Sequence, residues 1–98
     1  MVLDAKEIKR LKGRRERILA QLRKFYHMKD SAVVPNDITQ NGISTSTKIS
    51  RSHVSEILER LHEDGEIREE MRHISGFGRR KKVYFLSTTG MRTAQKIA

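Results

Sequence analysis

The chain has no cysteine, no tryptophan and only one proline. Without cysteine there is neither a disulfide frame nor a thiolate metal site, so packing alone must hold the fold. No run of about 18 apolar residues occurs, which argues against a membrane span. The start Met1-Val2-Leu3-Asp4 lacks the apolar stretch behind a basic flank that marks a signal peptide. A cytoplasmic protein without a membrane role is the expectation. Acidic residues are also few: 12 Asp and Glu face 21 Lys and Arg, giving a net charge of +9. A small, strongly basic chain points first to a polyanion, nucleic acid before an anionic membrane surface.

What is present fits one domain. Ninety-eight residues can bury about two thirds of the surface their unfolded chain exposes. With 36% hydrophobic and 34% charged residues, the core must be single and small under a solvated surface. The charge is unevenly placed: +7 over residues 1–29, −3 over 30–65 and +5 over 66–98. The flanks therefore supply the positive field, and the middle of the chain is mildly acidic.

Ile8, Leu11, Ile18, Leu22 and Phe25 fall on one stripe of a helix running from Ala5 to about Met28. Gly13 costs about 1 kcal/mol there and marks a bend or a break. A continuous helix would extend about 35 Å and leave Ile8 and Leu11 in need of a partner's cover. Val33-Val34-Pro35 suits a brief edge strand. A second helix begins with Thr39 as N-cap and runs to about Ser46, burying Ile38 and Ile43. Its composition (Asn41, Gly42, Ser44, Thr45, Ser46, Thr47) is poor for a helix, so tertiary packing has to hold it.

The third helix is better marked. Ser50 caps it, Val54, Ile57, Leu58 and Leu61 form an i, i+3, i+4, i+7 face, and Gly65 can take a positive φ just past its end. Glu56 with Arg60, and Arg60 with Asp64, have the spacing of helical ion pairs. Strands over Glu66 to Ile74 and Lys82 to Leu86 then flank a Ser75-Gly76-Phe77-Gly78 turn, whose tip would carry Arg79, Arg80, Lys81 and Lys82. After Ser87-Thr88-Thr89-Gly90 comes a short helix with Met91, Ala94 and Ile97 inward. The expected fold is mainly α with a small β-hairpin wing, a winged helix-turn-helix. It divides into an N-terminal helix (1–29), the helix-turn-helix (37–65), the wing (66–86) and a C-terminal helix (87–98).

The runs Ile38-Thr39-Gln40, Ile49-Ser50-Arg51-Ser52-His53-Val54-Ser55 and Arg79-Arg80-Lys81-Lys82-Val83-Tyr84-Phe85-Leu86-Ser87, with Gly90, resemble the winged-helix domains of archaeal MarR-like transcription regulators. The resemblance covers residues 33–90 and implies a sequence-specific, homodimeric regulator of double-stranded DNA with the third helix in the major groove. Two departures stand out. Lys48 occupies the turn position where glycine is common, and Ser44 and Ser46 replace residues that are usually apolar.

Geometry points the same way. With Val54, Ile57, Leu58 and Leu61 inward, the start of the third helix presents Ser50, Arg51, Ser52, His53, Ser55 and Glu56. Arg51 suits a guanine edge, Ser52 and Ser55 bases or phosphates, and Glu56 a cytosine amino group or Arg60. Thr39 and Gln40, at the start of the second helix, are further candidate DNA contacts. Arg79, Arg80, Lys81 and Lys82 would meet phosphate or the minor groove. Lys12, Arg14, Arg15 and Arg17 either do likewise or form a solvated face. Phe77 is either packed on the hairpin or a groove wedge. Ile8, Leu11, Met91, Ala94 and Ile97 are the candidate dimer surface. The alternative is a winged helix that docks RNA or protein, which the acidic Glu59, Glu63 and Asp64 favour. His27, His53, His62 and His73 form no i,i+4 pair, and no nucleophile, base and acid are grouped, so neither a metal, a cofactor nor catalysis is expected.

Overall fold

Asp4 starts the first helix by a reciprocal cap: its carboxylate accepts from the Glu7 backbone N–H at 2.9 Å, while Glu7 accepts from that of Asp4 at 3.1 Å. In this computed structural model, which describes residues 2–97, α1 (Ala5–Arg10) then ends at once, because Leu11 and Gly13 are both extended. Gly13 caps α2 (Arg14–Lys24), and a 3₁₀ turn, Tyr26–Met28, follows. The helix expected to reach Met28 is thus broken at Gly13, one of the outcomes that glycine left open, and stops four residues early. Arg17 clasps the bend by donating from Nε to the Leu11 carbonyl at 2.8 Å.

The break reverses a second expectation. Ile8 is fully buried within its own chain, packed with Leu3 and Ala20 and flanked by the partly buried Leu11 and Ile97. It needs no partner's cover. Folding α1 back removes from water the apolar stripe that a 35 Å rod would have exposed.

β1 (Val33–Val34) lies at the sheet edge, parallel to β2 (Ile67–Ile74), with Val33 opposite His73 and Val34 opposite Ile74. β2 pairs antiparallel with β3 (Arg80–Leu86), from Ile67 opposite Leu86 to His73 opposite Arg80. The fold is a mixture of helix and a three-stranded sheet in the order β1-β2-β3. β3 begins two residues before the expected strand, which takes Arg80 and Lys81 out of the turn and into the sheet.

Between β1 and β2 a 3₁₀ turn, Asn36–Ile38, leads to α3 (Gln40–Thr47) and then α4 (Arg51–Glu63). The poor helical composition of α3 has specific uses. A Cβ on Gly42 would lie 1.9 Å from the Asn36 carbonyl oxygen, so only glycine lets the helix approach the preceding turn. Ser44 donates to the Ile49 carbonyl at 2.5 Å, which ties α3 to the turn beyond it. Thr47 is buried and donates to the Ile43 carbonyl at 2.6 Å. Lys48 takes the left-handed conformation, with φ 60° and ψ 35°. Among the described residues it is the one non-glycine with positive φ.

Ser50 caps α4, and Gly65 turns the chain out of it with φ 71°. The helix buries Val54, Leu58 and Leu61, with Ile57 partly covered, in a core shared with Ile18, Leu22, Ile38, Ile43, Val83 and Phe85. The expected pairs of Arg60 with Glu56 and Asp64 do not form. Arg15 takes Asp64 instead, at 2.7 Å, and reaches the nearly buried Glu66 at 2.6 Å. Thr93 of α5 (Thr88–Gln95) also donates to Glu66, at 2.7 Å, so one carboxylate, just ahead of β2, joins α2 to α5. Ser87 caps α5, which buries Ala94 and partly covers Met91; Ile97, just beyond its end, is also partly covered. Among the described residues no helix is long and apolar enough to cross a membrane.

Candidate functional site

The first turn of α4 is solvent-facing: Ser50, Arg51, Ser52, His53, Ser55 and Glu56 are all exposed, as the inward Val54 and Leu58 require. Four of them, Ser50, Arg51, Ser52 and His53, make side-chain contacts within the chain. Ser50 accepts from the His53 backbone N–H, and its hydroxyl lies 3.0 Å from His53 Nδ1. Arg51 reaches across to α3, donating through Nη1 to Asn41 Oδ1 and through Nη2 to Gln40 Oε1 at 3.4 Å. Its guanidinium is therefore held against the neighbouring helix, not carried outward with Ser52 and Ser55.

Gln40 continues the chain of contacts by donating through Nε2 to the Tyr84 hydroxyl at 3.1 Å. Tyr84 is almost fully buried, and burial pushes its phenol above the ordinary value. The Gln40 bond works against that shift, and the negative charge of Glu69 adds to it. At neutral pH it is an uncharged hydroxyl. Thr39 is the N-cap expected of it. It is buried, donates to the Asn36 carbonyl at 2.8 Å and accepts from the Gly42 N–H at 3.2 Å, so its hydroxyl serves the helix cap.

The basic run is distributed and does not gather at a tip. Arg79 lies exposed in the turn. Arg80, opposite His73, donates to the Met71 carbonyl at 3.0 Å. The Lys81 ammonium sits 4.2 Å from the centroid of the Phe77 ring, so Phe77, half exposed, supports a cation. Lys82 approaches Glu69 at 3.7 Å. Alternation along β3 puts Lys82 and Tyr84 on one face of the sheet.

These elements meet. An open cleft of about 360 Å³ is lined by Thr39, Gln40 and Asn41 from the start of α3, Arg51 from α4, and Lys81, Lys82 and Tyr84 from β3. It joins residues singled out separately in the sequence and adds Asn41 and Tyr84, which were not. The two-residue spacing of Lys82 and Tyr84 in a strand was the available signal for Tyr84; nothing local marks Asn41.

The N-terminal basic cluster divides. Lys12 and Arg14 are exposed. Arg15 is committed to Asp64 and Glu66; although burial opposes it, these bonds raise the guanidinium pKa further. Arg17 bonds the Leu11 and Thr47 carbonyls. Arg72, unremarked in the sequence, is also structural: it donates to the Ser31 and Lys29 carbonyls at 2.5 and 2.6 Å and lies 5.0 Å from the Phe85 ring centroid. Of the candidate dimer residues, Ile8 and Ala94 are buried in their own chain, while Leu11, Met91 and Ile97 are partly so. Among the described residues, no three His, Asp or Glu side chains converge as metal ligands would. No protein-family model, curated protein or solved structure matches the chain.

Proposed function

We propose that the chain is a winged helix-turn-helix regulator that binds double-stranded DNA, in keeping with its resemblance to the archaeal MarR-like domains. On this reading α3 and α4 are the helix pair and the β2–β3 hairpin is the wing. The observation that carries it is the shared cleft: the start of α4 and the basic start of β3 border one space. A surface that presents a helix's polar first turn beside cationic strand residues suits a duplex, whose grooves alternate with phosphate ridges.

Ser55 and Glu56, and Ser52, whose hydroxyl lies 3.4 Å from that of Ser50, are exposed at the start of α4 where they can meet base edges. Arg79 and Arg80 of the hairpin and Lys12 and Arg14 of the N-terminal region supply further charge. The docking alternative has exposed Glu59 and Glu63 in its favour, but Asp64 is taken by Arg15. Homodimerisation stays in the proposal on the partly covered Leu11, Met91 and Ile97, with half-sites about 34–36 Å apart. Sedimentation at high micromolar concentration tests it, and a monomer there removes it. The DNA reading is tested by titrating a duplex of mixed sequence at two salt concentrations. Binding that weakens steeply with salt supports it, and absence of binding at low salt overturns it.

A further inference from the structure

Arg51, Lys81 and Lys82 border a cleft whose other lining residues are Thr39, Gln40, Asn41 and Tyr84, with no carboxylate among them. Like charges bordering one cleft repel one another, and the chain does little to offset them. Lys82 lies 3.7 Å from Glu69, but side-chain exposures of 56% and 41% leave that pair weak. Lys81 rests on an aromatic ring, which neutralises nothing. Arg51 donates from both terminal nitrogens to neutral amides, Asn41 and Gln40, so it is oriented while keeping its full charge. Gln40 is in turn fixed by Tyr84. A guanidinium held by uncharged partners in a cleft that two lysines also border matches a multi-oxygen anion. The cleft, at about 360 Å³, exceeds what a lone phosphate fills and leaves room for the groups to which one is joined.

We propose that this cleft is a phosphate site, in which Arg51, Lys81 and Lys82 hold the oxyanion and Asn41 and Gln40 aim the guanidinium. The site rests on the DNA reading only for its source of phosphate, which is either one backbone phosphate of a duplex or the phosphate group of a free solute.

The first arm uses the full chain without DNA. Inorganic phosphate is titrated against chloride at equal ionic strength while backbone and tyrosine resonances are followed by NMR. Saturable shifts confined to Gln40, Asn41, Arg51, Lys81, Lys82 and Tyr84 are expected. Lys81→Gln with Lys82→Gln should weaken phosphate about tenfold, the loss expected for charge-assisted bonds. Lys6→Gln with Lys9→Gln, which removes the same charge from exposed positions on α1, should change affinity less than about twofold, since screening attenuates distant charges. Asn41→Asp keeps an acceptor for Arg51 but neutralises it, and should weaken phosphate at least as much as the β3 pair. Equal losses in both lysine pairs, full affinity in Asn41→Asp, or shifts spread over α1 and α2 would overturn the site.

The second arm identifies the source with duplexes carrying one neutral methylphosphonate, scanned along the backbone. A position that costs the wild type about fivefold or more, and costs the Lys81→Gln, Lys82→Gln variant nothing, assigns the site to a DNA phosphate. Equal losses in both proteins at every position assign it to a free phosphate compound. Failure of the unmodified duplex to bind retires the DNA reading, and the first arm still decides the site.

Discussion

Single residues carry the clearest departures between pattern and structure. Gly42 looked like a flaw in a weak helix, yet a methyl group there would overlap the Asn36 carbonyl. Nothing in the local sequence announces a close approach between backbones six positions apart on either side of a cap, because helix propensity scores a residue against its own helix only. Gly42→Ala should destabilise the fold by about 3 kcal/mol or more, as overpacking against a backbone that cannot yield does. Urea denaturation measures it, and a loss below about 1 kcal/mol would mean that α3 can slide. Lys48 shows the opposite situation. Its left-handed φ of 60° was foreseeable from its position in the turn, and here the wrong residue is tolerated. Lys48→Gly should therefore stabilise the protein by about 1 kcal/mol, by relieving the Cβ clash of that conformation. Ile8→Asp should unfold the N-terminal packing, since it would place a charge in a fully buried site.

Elements were more legible than their ends. α4, with its serine cap, apolar face and terminal glycine, was readable because all its signals are local and agree. The break at Gly13 was visible as an alternative, but choosing it required knowing that Leu3 and Ala20 wait for Ile8, a contact between separate segments. The hairpin was recognised, yet the four cations masked the true start of β3, for a strand that opens Arg-Lys-Lys opposes every strand propensity. Cross-strand partners explain the tolerance: Arg72, which faces Lys81, is drawn away to Glu70 and to the Ser31 and Lys29 carbonyls. Burial alone would raise the Glu70 carboxyl, but bonds from Arg72 and Arg68 outweigh it and hold the pKa below its usual 4.5. Because the folded value is depressed, this contribution is fully present above pH 4.5 and is lost as pH falls through the folded value. Glu70→Gln should therefore lower stability at neutral pH and flatten its decline in acid, both read from chemical denaturation at a series of pH values. An unchanged acid slope would show that Arg68 and Arg72 do not favour the ionised form.

At the scale of the whole molecule, a net charge of +9 on 98 residues was the earliest clue and still the broadest. Segment sums placed the positive charge on the flanks, but they could not tell which cations are free. Arg15, Arg17 and Arg72 are occupied in holding the fold, whereas Arg51, Lys81 and Lys82 border one cleft. That convergence depends on α3, α4 and β3 packing together, and no spacing rule spans 30 to 40 residues. Arg51 is bonded to Asn41 and Gln40, and on the phosphate proposal its role is to hold an oxyanion and not a guanine edge. Arg51→Ala should weaken preferred and random DNA about equally, while Ser52→Ala with Ser55→Ala should cost about 1–3 kcal/mol on the preferred site and much less elsewhere. The most direct test of the account is the salt dependence of binding to a mixed-sequence duplex. With about six phosphates neutralised, log affinity should fall against log salt with a slope of roughly −5, reduced by about one in the Arg51→Ala protein. An affinity that hardly changes between low and moderate salt, or a slope that Arg51→Ala leaves unaltered, would contradict it.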